Sequence, residues 1–396
     1  MKIAFLTHEP FFPPSGGGSA EAVYLVRELV RRGHAVHIFC PVLKDKPAVE
    51  RDFQVVVHEF TTWEMGRYTS LRNFKYLAYP FFLQRLVASH AQTVRFDLVL
   101  SQHAISAVAA GRLKRQLGVP VVMNFLDYLT GFMETWPPWL APPPLLAQLK
   151  RFELNIPKKY SADAVLTVSD TLGDYFAGTG YPRDQIRPIY YGYDAALFPF
   201  RGHGPRESQN PVIVMHGSLD HHHLREIGLG AMKMILEKRP DAVFRFVGHR
   251  TGALAAFLQK AEKQMPSAKV ECTGFVPYPE VARHLATAHV GIVPYEESTG
   301  THCAFVAKIV EYLGVGLPVV STPLKSAMRY FKDEPMVRFS KFDGASFGQS
   351  VLDTLAHPLP NQDQLARQAS DRVKANLDWL RLSARAADFI EQKVSR

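Results

Sequence analysis

The stretch KIAFLTHEPFFPPSGGGSAEAVYLVRELVRRGHAVHIFCP, residues 2–41, decides the fold class of this chain. KIAFLT at 2–7 is a short uninterrupted apolar run typical of a buried strand, and AVHIFC at 35–40 is a second one. Between them, residues 19–32 place apolar side chains at helical spacing on one face. Buried strands joined by a helix predict an α/β fold with a parallel sheet covered by helices on both faces.

The same alternation continues along the chain and then starts again. Further strands of the first half are predicted at 97–102, 120–125 and 163–168. After a polar linker at 201–211, the second half has predicted strands at 211–217, 242–248, 269–274, 289–295 and 317–322. We therefore predict two doubly wound, Rossmann-like α/β domains at 1–200 and 201–377, followed by a last helix at 378–396 that can pack back on the first domain.

The composition limits the class of protein. Of the 396 residues, 47% are hydrophobic, which is enough to bury large cores. No uncharged apolar run reaches the roughly 18 residues of a spanning helix, and the amino terminus does not resemble a secretory signal. Cys40, Cys272 and Cys303 lie far apart and show neither a disulfide framework nor a zinc spacing. These features favour a cytoplasmic protein.

Two glycine turns follow predicted strands, where ligands of open α/β sheets bind. Gly17 and Gly18 let the main chain approach an anion such as a phosphate, although Glu21 stands where a dinucleotide fingerprint needs a third glycine. Gly217 and Ser218, in HGSLDHHH at 216–223, favour phosphate contact in the same way. A flexible turn is the alternative at both places. The adjacent histidines of the second turn are a poor metal site because consecutive side chains diverge.

The third motif is KIVEYLGVGLPVVST at 308–322, in which a helix ends at glycine and a buried strand follows. Lys308 and Glu311 share a helix face because they are three residues apart. We expect this helix to begin near Gly300, so that its amino end can face a phosphate. The carboxylate can accept hydrogen bonds from the vicinal hydroxyls of a sugar, and the lysine can bind an anion. An ordinary surface ion pair is the alternative.

Taken in order, these motifs resemble the GT-B glycosyltransferases of family four and its relatives. The stretches that carry the resemblance lie at 2–41, 189–198, 216–220, 239–248, 274–295 and 308–322. The resemblance implies transfer of a sugar from a nucleotide-sugar donor, with the nucleotide held by the second domain. It implies that Glu311 binds the ribose and that Lys308 and the turn at Gly217 and Ser218 face the diphosphate. It also implies that the main chain at Phe275 and Val276 meets the base, and that Gly17 and Gly18 approach the donor.

The sequence departs from the family pattern at Cys303. The family usually has a further glutamate eight positions before Glu311, whereas this chain and a subgroup with a "PY…K..EYL" pattern lack it. Asp127, after the strand predicted at 120–125, can deprotonate an acceptor hydroxyl in an inverting reaction, or position the acceptor in a retaining one. A helix cap or turn residue is the alternative. His103 is a second candidate for the acceptor side.

The acceptor is a glycan or a lipid-linked glycan in this interpretation. The net charge of +9 indicates an anionic partner. Residues 67–90 predict a basic, aromatic amphipathic helix broken near Pro80, and 132–149 form a second apolar segment. Either these segments contact an anionic membrane surface, or they cover the core and line a groove for a soluble sugar. Nucleic acid is disfavoured because no binding module is recognised.

Two other functions stay open at this point. One is a nucleotide-sugar 2-epimerase or a phosphorylase with the same architecture, and the other is a non-catalytic protein that binds sugar nucleotides. The chain contains no Asp-x-Asp pair, so we expect activity without a metal. We expect no other cofactor, since the nucleotide sugar is a substrate.

Overall fold

The structure is a computed structural model that describes residues 1–13, 17–61, 72–202, 210–217 and 219–394. Its contacts divide the chain into two compact units. Unit 1 comprises Met1–Thr130, Ala141–Tyr191 and Trp379–Arg396, and unit 2 comprises Gly131–Leu140 and Gly192–Asp378. Unit 2 thus takes residues 131–140 and 192–200 from the range 1–200 that was predicted as the first domain. Most of the linker predicted at 201–211 lies outside the described residues.

Unit 1 is built on a parallel sheet that has seven strands in the described residues, in the order β3-β2-β1-β4-β5-β6-β7. The strands are β1 (Lys2–Leu6), β2 (Ala35–Pro41), β3 (Val56–Phe60), β4 (Leu98–Gln102), β5 (Val121–Phe125), β6 (Ala164–Thr167) and β7 (Ile186–Pro188). The helices are α1 (Gly17–Arg31), α2 (Lys46–Phe53), α3 (Arg72–His90), α4 (His103–Leu117), α6 (Pro143–Lys159) and α7 (Asp170–Gly178). The short helix α5 (Leu129–Phe132) begins in unit 1 and ends in unit 2. The central strands β4 and β5 are buried throughout, which explains their uninterrupted apolar sequence.

Unit 2 repeats this architecture with six parallel strands among the residues described, in the order β10-β9-β8-β11-β12-β13. The strands are β8 (Val212–His216), β9 (Val243–Val247), β10 (Lys269–Gly274), β11 (Val290–Val293), β12 (Val319–Ser321) and β13 (Val337–Phe339). The helices are α8 (Glu226–Lys238), α9 (Gly252–Gln264), α10 (Tyr278–Ala286), α11 (Thr299–Cys303), α12 (Ala307–Val315), α13 (Lys325–Phe331), α14 (Gly344–Ala356) and α15 (Gln362–Leu377). Two parallel α/β sheets confirm the predicted fold class.

The last helix, α16 (Trp379–Val394), packs against α1 in unit 1. The Trp379 indole stacks on the Tyr24 ring, with centroids 5.7 Å apart and planes within 10° of parallel. Arg32 donates hydrogen bonds to the carboxylates of Asp388 at 2.7 Å and Glu391 at 2.8 Å. The chain therefore returns from unit 2 at its end and completes the helical cover of unit 1.

Three strands were not predicted from the sequence, namely β3, β7 and β13. Each lies at an edge of its sheet and has one neighbouring strand. β3 is only partly buried, so its sequence lacks the apolar run that marks the inner strands. Edge strands are commonly short and partly exposed, and an apolar run is therefore a poor guide to them.

The predicted break near Pro80 is wrong, because α3 continues through this residue. A proline removes one amide hydrogen bond and strains the turn before it, but α3 packs along α4, and this packing holds the helix together. Residues 62–71, which include Arg67 and Tyr68 of the predicted amphipathic segment, lie outside the described residues. Within the described part of the chain, no helix is both long and apolar enough to cross a membrane.

Candidate functional site

In unit 2, a glycine turn follows β8 at the edge where the parallel strands end. Gly217 has φ +92°, in the left-handed region that favours glycine. A Cβ on Gly248, after the neighbouring β9, would lie 2.3 Å from the carbonyl oxygen of Gly217. The two loops therefore pack main chain against main chain, and Gly248 cannot be replaced without a shift. Ser218, the second predicted residue of this turn, lies outside the described residues.

Helix α12 carries both Lys308 and Glu311, as their spacing predicted. It begins at Ala307 and not near Gly300, because α11 is a separate short helix and the chain between them is extended. The two side chains are 9% and 6% exposed, so they form a buried pair one turn apart and not the surface ion pair of the alternative interpretation. The helix ends at Gly316, which has the left-handed conformation expected of a C-terminal glycine.

The Lys308 ammonium lies beside the glycine turn. Its Nζ donates a hydrogen bond to the Tyr295 hydroxyl at 2.9 Å, and a Cβ placed on Gly217 would be 3.4 Å from it. Burial lowers the pKa of Lys308 to about 8, although Glu311 and Asp220 oppose this shift. A buried cation with this environment would be stabilised by an incoming anion.

The Glu311 carboxylate is paired with His216, a residue of the HGSLDHHH motif to which the sequence alone assigned no role. Its Oε2 is hydrogen-bonded to Nε2 of His216, the last residue of β8. The His216 ring is 4% exposed and packs edge-on against the Tyr312 ring at 5.0 Å. His216 and Glu311 are 95 positions apart, so no local pattern could have joined them.

An exposed pair of rings lies in the loops after β9 and β10. The Phe275 side chain is 65% exposed and stacks on His249, with ring centroids 4.7 Å apart and planes 26° apart. Val276 is half-buried beside it. Both loops leave the same edge of the sheet as the turn at Gly217, since β10, β9 and β8 are parallel neighbours. The predicted Phe275 and Val276 positions therefore share an edge with Lys308 and Glu311.

Residues 131–140 pack onto unit 2, whereas the sequence suggested one continuous segment at 132–149. The Phe132 ring lies 4.5 Å from that of His222. The Glu134 carboxylate accepts hydrogen bonds from Thr299 N at 2.6 Å and Thr299 Oγ1 at 3.0 Å. A Cβ on Gly300 would meet Phe132 N at 2.3 Å. Only tertiary contacts reveal this placement, which corrects the predicted extent of the apolar segment.

The histidine run after Gly217 is part of the packing of unit 2. The ring nitrogen Nδ1 of His223 accepts a hydrogen bond from Asp220 N at 3.0 Å. Burial lowers the pKa of His222 to about 4 and that of His223 well below its usual value. Among the residues that the structure describes, no three His, Cys, Asp or Glu side chains form a group able to hold a metal ion.

In unit 1, Asp127 follows β5 at the edge where the strands end. Its half-buried carboxyl has a pKa raised to about 8, by burial first and then by the nearby charges of Glu9 and Glu153. Glu153, on α6, accepts hydrogen bonds from Leu129 N at 2.9 Å and from Thr130 N at 2.8 Å. A carboxyl that titrates near neutral pH in such a place is suited to proton transfer.

His103 lies at the same edge, immediately after β4. Its main chain has φ +66°, and its ring packs edge-on against His8 at 5.1 Å. Since β1, β4 and β5 are adjacent, His8, His103 and Asp127 follow three neighbouring strands. The sequence reasoning missed His8 and Glu9, although the same rule of residues after strands would have found them. No sequence pattern pointed to Glu153, because it lies in the middle of a helix and not after a strand.

Glu21 anchors the helix that begins at the glycine loop. α1 starts at Gly17 and includes Gly18, while residues 14–16 lie outside the described residues. The buried Glu21 carboxylate accepts hydrogen bonds from Asn124 Nδ2 at 3.0 Å and Gln102 Nε2 at 3.3 Å. Burial raises its pKa to about 7. The residue that interrupts the dinucleotide fingerprint thus ties α1 to the ends of β4 and β5.

Two glycosyltransferase family models together match most of the chain. A family described as Glycosyltransferase Family 4 matches residues 15–197, and one described as Glycosyl transferases group 1 matches residues 210–357. None of the curated proteins compared with the chain matches it in sequence.

Several solved structures share the fold over nearly their whole length. Anabaena Alr3699/HepE in complex with UDP and glucose is 17% identical, with a TM-score of 0.73 and 99% of both chains covered. Sucrose-phosphate synthase from Thermosynechococcus elongatus is 16% identical, with a TM-score of 0.78 and 99% and 98% covered. WaaG, a glycosyltransferase involved in lipopolysaccharide biosynthesis, is 16% identical, with a TM-score of 0.69 and 98% and 99% covered. Together with the family matches, these favour glycosyl transfer over the epimerase and non-catalytic alternatives.

Proposed function

The chain belongs to the GT-B glycosyltransferases, and from this premise we propose that Lys308 and Glu311 bind the diphosphate and ribose of a nucleotide-sugar donor. The observation that carries the proposal is a buried ammonium beside the turn at Gly217, with a buried carboxylate one helical turn away. A nucleoside diphosphate presents an anion and two vicinal hydroxyls a few bonds apart. One cation and one carboxylate on the same helix face are complementary to that arrangement.

The electrostatics of Lys308 support the assignment to the diphosphate. Because burial lowers its pKa to about 8, the free site holds a desolvated cation, and a bound diphosphate would favour this charged form. When the bond to the sugar breaks, negative charge grows on the leaving diphosphate, and a preorganised cation stabilises that charge. Gly217 has no side chain, so phosphate oxygens can approach its main chain.

We assign the base to the main chain at Phe275 and Val276, beside the exposed rings of Phe275 and His249. A flat apolar surface of this kind can stack on a nucleobase. UDP is the first nucleotide to test, because the similar HepE structure contains UDP. We assign the acceptor to unit 1, where Asp127 takes the proton of the acceptor hydroxyl and His103 is a secondary contact. We also assign Gly17 and Gly18, at the start of α1, to contact with the donor.

A thermal-shift screen with UDP-, GDP- and dTDP-sugars tests the donor assignment. One of these donors should raise the apparent Tm by several degrees, since a ligand at 100 times its Kd adds about 2.7 kcal/mol to stability. We propose that no metal is needed, so EDTA should leave both this shift and the release of nucleoside diphosphate unchanged.

Lys341→Met serves as a control variant in this screen. It removes an exposed lysine elsewhere in unit 2 and should keep the full Tm shift with the donor. The donor assignment is wrong if none of the sugar nucleotides shifts the Tm at millimolar concentration. Turnover that is lost in EDTA and restored by manganese would contradict the proposal of metal independence.

We further propose that unit 1 contacts an anionic membrane surface, which would suit a lipid-linked acceptor over a soluble glycan. α3 exposes the Phe81 and Phe82 rings, 54% and 37% accessible, next to the exposed Arg85. On α6, Leu145 and Phe152 are 51% and 41% exposed. Apolar side chains next to basic ones are the composition that binds membrane interfaces.

Flotation with vesicles of phosphatidylcholine and phosphatidylglycerol tests this surface. The protein should float at low salt, and the double variant Phe81→Ser, Phe82→Ser should bind at least about tenfold more weakly because two apolar anchors are lost. Leu380→Ser is the control, since Leu380 is 69% exposed on α16 of the same unit. Equal loss in the control, or no flotation at low salt, would show that α3 does not bind membranes.

A further inference from the structure

We propose that His216 is a positioning residue that holds the Glu311 carboxylate in the orientation required to bind ribose, an inference that rests on the donor site proposed above. Its Nε2 is bonded to Glu311 Oε2. Both side chains are buried, with 4% and 6% exposed. A hydrogen bond between two buried groups restricts both of them, because breaking it leaves each without a substitute from water.

The second ring nitrogen of His216 shows which hydrogen bond holds the side chain. If Nε2–H donates to the carboxylate, Nδ1 of the neutral ring is an acceptor. This atom is buried and has no hydrogen-bond partner among the described residues. The ring also packs against Tyr312, on the same helix as Glu311. The side-chain hydrogen bonding of His216 is therefore directed to Glu311, which is the geometry of a residue that orients another.

The end of β8 aligns both parts of the donor site at once. His216 meets Glu311, and the next residue, Gly217, lies against Lys308. The last residue of β8 and the residue after it thus lie beside two residues one turn apart on α12. A carboxylate has about four acceptor positions, so the bond from His216 is compatible with two hydrogen bonds from a ribose.

An oriented carboxylate should distinguish ribose from 2′-deoxyribose. The site of a fixed Glu311 loses a hydrogen bond when the 2′-hydroxyl is missing, whereas a mobile Glu311 can turn toward the remaining hydroxyl. The preference for the ribonucleotide over the 2′-deoxyribonucleotide therefore measures whether the Glu311 carboxylate is held in one orientation. A purely structural role of His216 would change stability and affinity without changing this preference.

The test measures Kd for UDP and for 2′-deoxy-UDP by calorimetry in the full-length protein. The wild type should prefer UDP about tenfold, the scale of one lost hydrogen bond. His216→Asn removes the donor at the Nε2 position, and Glu311→Gln removes the carboxylate, so both should bring the preference to about twofold or less. His216→Gln should keep most of the preference, because its amide nitrogen can take the place of Nε2.

The control is Tyr312→Phe, which keeps the neighbouring ring and loses only the hydroxyl bonded to Val214 O at 3.3 Å. It should retain the wild-type preference. If His216→Asn does not fold, His216→Phe supplies the same comparison, and if the protein binds GDP and not UDP, GDP and 2′-deoxy-GDP replace the pair.

The outcomes distinguish the positioning role of His216 from the assignment of Glu311 to the ribose. A preference that collapses in Glu311→Gln but not in His216→Asn overturns the positioning role and leaves the donor site standing. A preference unchanged in Glu311→Gln overturns the ribose assignment itself, and the role of His216 with it.

Discussion

Replacing Lys308 with methionine should lower kcat/KM for the donor by ~10²–10³-fold, the effect of removing one preorganised charge that stabilises a developing anion. The variant should be at least as stable as the wild type. The pKa of Lys308 falls from 10.5 in the unfolded chain to about 8 in the fold, so burying its charge costs stability at neutral pH. Kinetics of nucleoside diphosphate release and a thermal melt measure both effects.

The pH dependence of kcat/KM for the donor is a second test of the role of Lys308. Because the charged form of Lys308 predominates below about pH 8, kcat/KM for the donor should fall as the pH rises through that value. Lys308→Arg keeps its charge at all these pH values, and the descending limb should disappear in that variant. Wild-type kinetics in Lys308→Met would refute the role assigned to this residue.

Replacing Asp127 with asparagine should lower turnover by ~10²–10⁴-fold, the usual contribution of a general base, and at the same time raise the apparent Tm. The pKa of Asp127 is raised from 3.8 to about 8. Between these two values the unfolded chain has lost the proton while the folded chain keeps it, so stability falls as the pH rises through this range. Asparagine cannot ionise, so the apparent Tm at pH 7 should rise, by about 2–4 °C for each kcal/mol gained in a unit of this size.

The pH dependence of the wild-type kinetics with the acceptor should also reflect the raised pKa of Asp127. If Asp127 acts as a base, kcat/KM for the acceptor rises with pH and levels off above about 8. Asp333→Asn, at an exposed aspartate, is the control. It should change neither the rise of kcat/KM with pH nor the Tm. A lower Tm with unchanged turnover in Asp127→Asn would identify Asp127 as a helix cap or turn residue.

Much of the fold and part of the site could be predicted because they depend on local patterns. The inner strands β4 and β5 are buried on both faces, so each needs an uninterrupted apolar run that is visible in the sequence. Lys308 and Glu311 could be paired because three residues make nearly one helical turn. The glycines at 217 and 316 predicted a turn and a helix end, because glycine favours the left-handed backbone conformation that both residues adopt.

The sequence alone therefore determined two parallel α/β domains, the family, and the pair of side chains in unit 2, since each depends on the spacing of nearby residues. The tertiary structure alone decided which distant groups meet. It placed residues 131–140 on unit 2, set His216 against Glu311, and brought Glu153 near Asp127. The reason is physical, because pKa values and hydrogen-bond partners depend on desolvation and on charges that approach only when strands far apart in the chain become neighbours.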